Sequence, residues 1–383
     1  MNMLPFCESL LTVFLMYAIM KRILLLSLLA PWAAAEDVST APAVSAVERA
    51  GITGAGWAVV TGDVQARKVT LTYPNHPDDF GGTAGTGTSH SGDGGKTWTQ
   101  GPDDWPIPKS IDLWQDRLSD GSLVAFGICW APDPKKRGEQ TSADVPADAY
   151  AISVSKDQGR TWSTSAATLH CPPEIGIIAR PLPHLFEDGQ GAWLMPAYAW
   201  GKRGTRALLL RSLDRGRNWS VLSTIVTAEG IQKAGASLTT PWLETTVART
   251  KNGSLLAVMR TGSNEQAALI VARSKDDGVT WSPVEKIVAG PQRQIVAGKL
   301  PNLLLMPNGT LVLIAAHTKL GCFMHLSHDG TGCEWSAAQL VTKVSGGNTS
   351  MTALDVSTVL VFTPSSKRIS CWQVTLPSVS SAK

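Results

Sequence analysis

Glu244 and Arg260 stand 16 residues apart in Trp242-Leu243-Glu244-Thr245-Thr246-Val247 and Asn252-Gly253-Ser254-Leu255-Leu256-Ala257-Val258-Met259-Arg260. Asn252-Gly253 between two apolar runs signals a hairpin turn. A Glu that begins one strand and an Arg that ends the next emerge at the same end of that hairpin. There the Glu could act as a nucleophile or as a base on water, and the planar guanidinium fork of the Arg suits a carboxylate. The competing reading is a buried ion pair that only steadies the hairpin. Charges are costly to bury without a role, which favours the site reading.

The elements that must position this pair are announced by a repeated phrase. Ser91-Gly92-Asp93-Gly94-Gly95-Lys96-Thr97-Trp98 returns at Ser155–Trp162, Ser212–Trp219 and Ser274–Trp281. A worn fifth copy, Ser327-His328-Asp329-Gly330, reaches Trp335 one residue late. The copies start 64, 57, 62 and 53 residues apart. Each interval holds several short strand-like runs parted by Gly, Asn and Asp turns, which is the length of one four-stranded sheet. Within the phrase Asp accepts backbone N–H groups, Gly supplies the turn conformation and Trp buries a large apolar surface. The phrase reads as a hairpin corner. One Asp per corner lacks the clustered oxygens that calcium requires, so no metal is expected. About 330 residues follow position 50, enough for six such sheets. The expected fold is all-β, a single six-bladed β-propeller of four-stranded antiparallel sheets over residues 51–375.

Residues 1–35 read as a secretory signal peptide. Lys21-Arg22 precede the apolar run Ile23–Leu29, and Ala33-Ala34-Ala35 offers a cleavage site. Met20 is a natural start for it, which makes residues 1–19 an over-extended beginning. A membrane anchor is the rival reading, but Lys21-Arg22 interrupt the run. Residues 36–50 read as a polar lead-in. The mature chain is therefore expected outside the cytoplasm, as a monomer with no membrane attachment. Lys plus Arg number 34 against 31 Asp plus Glu, a balance that gives no footprint for nucleic acid. Five cysteines remain beyond the leader, an odd number, and Cys322 and Cys333 flank the fifth corner closely enough to bridge it. No cysteine or histidine spacing suggests zinc, and no cofactor is expected. Four Asn-x-Ser/Thr triplets (Asn218, Asn252, Asn308, Asn348) are weak signals, since Asn218 lies inside a corner.

The corner phrase and its period resemble the Asp-box, or BNR, repeats of the sialidase superfamily. The Glu244–Arg260 segment is similar to the sialidase stretch in which a buried Glu precedes a substrate-binding Arg. The resemblance implies a glycosidase acting on a glycan at the central mouth of the propeller. It also implies further residues, and several depart from the pattern. The position of the family's first carboxylate-binding Arg, in an Arg-Ile-Pro motif, holds Asp112, with Arg117 nearby but out of register. The acid/base Asp would be Asp133, or less directly Asp144. The third Arg has no counterpart in His317–His325, where Lys319 or Arg293 could serve. The last blade, near Gly346–Ala353, has no Tyr to act as nucleophile. Without it, Glu244 and one acidic partner (Asp112, Asp116 or Asp133) would form the two-carboxylate arrangement of ordinary glycosidases. His76 and Asp79 lie in another polar loop that reads as a Pro-rich turn. The alternative is a non-catalytic propeller that binds a glycan or a protein, since a fold does not settle activity.

Overall fold

The computed structural model describes residues 57–74, 85–102, 105–262, 267–317, 319–343, 348–365 and 368–377, and the backbone of 45–53. The leader, His76, Asp79, Gly346 and Gly347 lie outside the described residues.

The fold is all-β, and its sheets follow one another along the chain. β1 (Ser45–Thr53) comes first but pairs with the last strand. β2 (Val59–Asp63), β3 (Lys68–Pro74), β4 (Thr86–Ser91) and β5 (Thr99–Gln100) form a four-stranded meander. β6 (Asp112–Arg117), β7 (Leu123–Ile128), β8 (Tyr150–Ser155) and β9 (Ser163–His170) form the next. β10 (Ile177–Pro181), β11 (Phe186–Glu187), β12 (Trp193–Gly201), β13 (Gly204–Ser212) and β14 (Asn218–Thr227) follow, with β10 and β11 both pairing β12. These two meanders merge into one nine-stranded sheet, because Thr168–His170 of β9 pair in parallel with Asn218–Ser220 of β14. A short helix, α1 (Ala228–Lys233), leads to β15 (Thr245–Arg249), β16 (Leu255–Met259), β17 (Ile270–Ser274) and β18 (Glu285–Lys286). β19 (Val288–Ala289) and β20 (Gln294–Ile295) make a small hairpin. Then come β21 (Lys299–Leu305), β22 (Leu311–His317), β23 (Gly321–Ser327) and β24 (Gln339–Thr342). The last sheet joins β25 (Ser350–Ala353), β26 (Thr358–Pro364) and β27 (Arg368–Thr375) to β1.

The second strand of a sheet shows why the sequence reads as it does. β7 (LVAFGI), β16 (LLAVM) and β22 (LVLIAAH) are buried at every position, because both faces pack on neighbouring sheets. Each fully buried aliphatic side chain there contributes about 1.5–3 kcal/mol. The first strands abut one another: β2 touches β6 and β25, and β21 touches β15 and β25.

The repeated phrase folds as a corner in all five copies. Ser155 Oγ donates to Asp157 Oδ1 at 2.9 Å and accepts the Gly159 N–H at 2.8 Å. Asp157 also accepts the Thr161 N–H at 2.8 Å and its hydroxyl at 2.6 Å. The glycine is left-handed (φ 85° at Gly159), and at Gly278 a Cβ would stand 2.2 Å from Leu209 Cδ2 of the preceding sheet. Glycine thus suits the turn, and at Gly278 it also leaves room for Leu209. In the third copy Asn218 replaces Thr and donates from Nδ2 to Asp214 at 2.7 Å. In the worn copy the extra residue is absorbed by the turn, and Ser327 Oγ accepts the Gly332 N–H one position later, at 3.0 Å.

Two expectations need correction. The lead-in of residues 36–50 is in part structural, since Ser45–Ala50 belong to β1 and pair with β27. The last sheet carries no corner phrase. Its outer strand comes from the other end of the chain, so no hairpin joins β27 to β1. Cys322 and Cys333 are both free thiols. Cys322 is the second residue of β23 and Cys333 lies past the strand's far end, and the five residue steps from Cys322 to Ser327 span about 17 Å.

Candidate functional site

Glu244 immediately precedes β15 and Arg260 immediately follows β16. The two strands pair with Thr245 opposite Met259, and the ladder continues through the Arg260 N–H to the Glu244 carbonyl at 3.0 Å. The side chains then meet across the hairpin end, with Arg260 Nη1 2.5 Å from Glu244 Oε2. Arg260 Nε donates to the Gly262 carbonyl at 2.6 Å. Both side chains are largely buried, at 9% exposure for Arg260 and 15% for Glu244.

Glu244 lines a pocket where first strands converge. Trp57 before β2, Pro183 after β10, Thr246 on β15, Asn302 on β21 and Ser350 on β25 share its walls. Neighbouring strands are tied together around it. Asn302 Nδ2 donates to the Thr349 carbonyl at 2.7 Å, and Thr246 Oγ1 accepts the Leu303 N–H at 3.3 Å.

Asp112 reaches this region through a residue the sequence analysis did not single out. Arg180 of β10 is the ion partner of Asp112, and its guanidinium carbon lies 5.1 Å from the centre of the Trp57 ring. Trp57 is a wall of the Glu244 pocket, so Asp112 is linked to that pocket through Arg180 and Trp57. The available signal was an Arg inside the buried run Ile177-Ile178-Ala179-Arg180-Pro181. Asp116, four residues along β6 on the same face, is held by His184 Nδ1 at 2.6 Å and by the Leu185 N–H at 2.8 Å. Burial pushes the His184 imidazole down, but the charge and hydrogen bond of Asp116 outweigh it and hold the ring above its usual pKa.

Arg117 is not brought to Glu244. It ends β6, at the opposite end from Asp112, and binds Asp63, the Gly121 carbonyl and Gln158 of the second corner. Asp133 lies in the loop between β7 and β8, where its Oδ1 caps the turn Pro134–Lys136 by accepting the Lys135 N–H at 2.8 Å. Asp144 caps a second such turn by accepting the Thr141 N–H at 2.7 Å. Lys319 and Arg293 are exposed and are not among the pocket walls. Tyr73, Tyr150 and Tyr198 are buried in the sheets, so among the described residues no tyrosine lines the pocket. Among the described residues no group of three or more His, Cys, Asp and Glu is placed to hold a metal ion.

The pocket thus offers an aromatic face, hydroxyl and amide groups, one carboxylate and nearby guanidinium groups. A model of the BNR repeat-like domain matches residues 115–345, more than half of the chain. The chain belongs to the BNR repeat-like family. No curated protein matches this BNR-repeat chain in sequence. Among solved structures it is similar to a protein of unknown function from Dyadobacter fermentans, at 18% identity and a TM-score of 0.63, covering 88% of this chain and 100% of that one. It is also similar to the Penicillium chrysogenum alpha-L-arabinanase complexed with arabinobiose, at 14% identity and a TM-score of 0.59, covering 86% and 98%. The Hadza microbial sialidase Hz136 matches at 18% identity and a TM-score of 0.57, covering 86% of this chain and 65% of the sialidase. At these identities the structural likeness shows a shared fold alone, the BNR-repeat propeller of sialidases and arabinofuranosidases. The sialidase-like resemblance of the corner phrases therefore holds at the level of family and fold.

Proposed function

We propose that this BNR-repeat protein is an exported, sialidase-like glycoside hydrolase on a six-bladed propeller, acting on a glycan at the mouth of its central pocket. The placement of Glu244 in that pocket, against Arg260, carries the reading. The six-blade count is supported by the succession of sheets and by β1 closing the last of them. Export is supported by the charged, apolar and small-residue pattern of residues 1–35. The walls around Glu244 offer Trp57 as an apolar platform and Thr246, Asn302 and Ser350 as polar neighbours, and because the space they enclose is little larger than one water the sugar rests at the mouth.

Glu244 is the catalytic carboxylate of this proposal, as nucleophile or as base on water, and Arg260 fixes its orientation. Asp133, which caps a turn of the β7–β8 loop and is not among the pocket walls, is the proton donor of this proposal. Asp112 is neutralised by Arg180, whereas Asp133 carries only a cap hydrogen bond. Arg260, with Arg180 behind Trp57, provides the positive field for a substrate oxygen or carboxylate.

A second reading, a non-catalytic glycan-binding propeller, is favoured by two observations. Glu244 is already ion-paired, and among the described residues no tyrosine lines its pocket. Reducing-sugar release from a panel of arabinosides, sialosides and other glycosides separates the two. Turnover lost in Glu244→Gln and strongly reduced in Asp133→Asn supports the hydrolase. Glycan binding without turnover on any substrate supports the second reading.

A further inference from the structure

Ser350, the first residue of β25, lines the Glu244 pocket. It is 2% exposed, and its Oγ has no hydrogen-bond partner among the described residues. A buried hydroxyl left in that state is costly unless a small polar guest completes it. Two neighbours in the same walls also keep hydrogen-bonding capacity in hand. Asn302 Nδ2 donates to the Thr349 carbonyl at 2.7 Å and to the Leu300 carbonyl at 3.3 Å, which leaves Oδ1 to accept. Thr246 Oγ1 accepts the Leu303 N–H at 3.3 Å and keeps its own hydrogen to donate. The Glu244 carboxylate borders the same space, against apolar walls that include Val59 and Leu182. That space measures about 10 Å³, room for one water and far too little for a sugar ring. Ser350, Asn302, Thr246 and Glu244 supply the two to four polar partners that a buried water needs.

We infer that this cage holds the hydrolytic water, aimed by Ser350, and that Glu244 is a base on that water, so that glycosides are cleaved with inversion at the anomeric carbon. The inference rests on the reading of the pocket as a glycosidase site, and it decides between the two roles that reading allows Glu244. A sugar seated at the mouth meets the caged water before it meets the carboxylate. The water oxygen bonds to the anomeric carbon from the pocket side and gives a proton to Glu244. The bond from that carbon to the leaving oxygen breaks on the opposite face, and the leaving oxygen takes the proton of the Asp133 carboxyl. The products are the sugar of inverted configuration and the free alcohol, and proton exchange with solvent restores both carboxyl groups. A retaining enzyme instead sets two carboxyl groups about 5–5.5 Å apart against the sugar, whereas an inverting one keeps them further apart to admit the water. Among the described residues Glu244 is the only carboxylate in the pocket walls, which fits the wider arrangement.

The test follows product configuration with a panel of aryl glycosides, 4-nitrophenyl α-L-arabinofuranoside and 4-nitrophenyl α-sialoside among them. Proton NMR of the first-formed sugar should show inversion. Added methanol should give no methyl glycoside of retained configuration, because no glycosyl-enzyme exists for it to intercept. Ser350→Ala should lower kcat by about tenfold, the worth of one hydrogen bond to the water. KM should stay nearly unchanged, because residue 350 holds the water and not the sugar. Ser350→Val, whose methyl groups fill the place of the water, should lower kcat by about a hundredfold or more while sugar affinity by calorimetry holds. Ser350→Ala, which only removes an atom, carries the test where the larger side chain unfolds the chain. Retained configuration, or a methyl glycoside of retained configuration, overturns the inference and leaves the hydrolase reading standing. Unchanged kcat in Ser350→Ala also overturns it, because the water would then be held elsewhere. Turnover of no substrate in the panel removes both.

Discussion

Arg117 and Arg249 make the same three contacts in two different sheets. Each ends a first strand, and each donates from Nη1 to the carbonyl of a turn glycine four residues on, Gly121 at 3.0 Å and Gly253 at 2.9 Å. Each binds the fourth residue of its own corner phrase, Gln158 at 3.1 Å and Asp277 at 2.7 Å. Each reaches back to the preceding sheet, to Asp63 and to the Glu187 carbonyl. Arg117 is therefore a repeated structural fastener. Replacing either Arg with Ala should cost about 1–2 kcal/mol and leave glycan binding unchanged. Urea unfolding beside a binding titration checks this, and weakened binding in Arg117→Ala alone would restore it to the site.

The Glu244–Arg260 pair should be strongly coupled. Removing either partner leaves the other in a largely buried position, and breaking such a pair costs about 3–5 kcal/mol. Glu244→Leu and Arg260→Leu should each destabilise the fold more than the double substitution's additive share. A double-mutant cycle of unfolding free energies reads the coupling directly.

The corner aspartates make stability depend on acid pH. The Thr161 side chain and backbone hold the Asp157 carboxyl at about 2, and Thr280 does the same for Asp276 at about 2. Their folded values lie below the unfolded value of about 3.9. The stability they supply is complete above that value and is lost as pH falls through about 2. Urea midpoints should drop steeply between about pH 4 and pH 2. Thr161→Val removes the largest cause at Asp157 and should shift that loss to higher pH.

His184 works in the opposite direction. Its folded pKa is raised by Asp116 against the pull of burial, so its contribution is full below the unfolded value of about 6.5 and is lost as pH rises through the folded value. Thermal midpoints should decline from near neutral pH upward in the wild type. Asp116→Asn should flatten that slope, and an unchanged slope would contradict the assignment.

What the sequence made legible follows from range. The corner phrase is a local motif of eight residues, so Asp157 and Gly159 could be assigned their jobs before any coordinates. Glu244 and Arg260 are one hairpin apart, and Asn252-Gly253 fixes the register that pairs them. Asp112 was marked, but its partner Arg180 lies 68 residues away, on a strand at the other edge of the same nine-stranded sheet, and only the folded chain brings them together. Asp116 and His184 repeat that offset of 68. Arg117 was misleading because its role appears only when Arg249 is seen in the same position of another repeat. Asp133 could be placed in a loop but not given its capping bond, which depends on the local path of the chain.

The central claim is that a glycan occupies the pocket formed by Glu244, Trp57 and their neighbours. A crystal structure of Glu244→Gln soaked with an oligosaccharide drawn from the activity panel tests it most directly. The account predicts sugar density against the Trp57 ring, within hydrogen-bond reach of residue 244 and Arg260. Sugar bound elsewhere on the sheets, with this pocket empty, would contradict it.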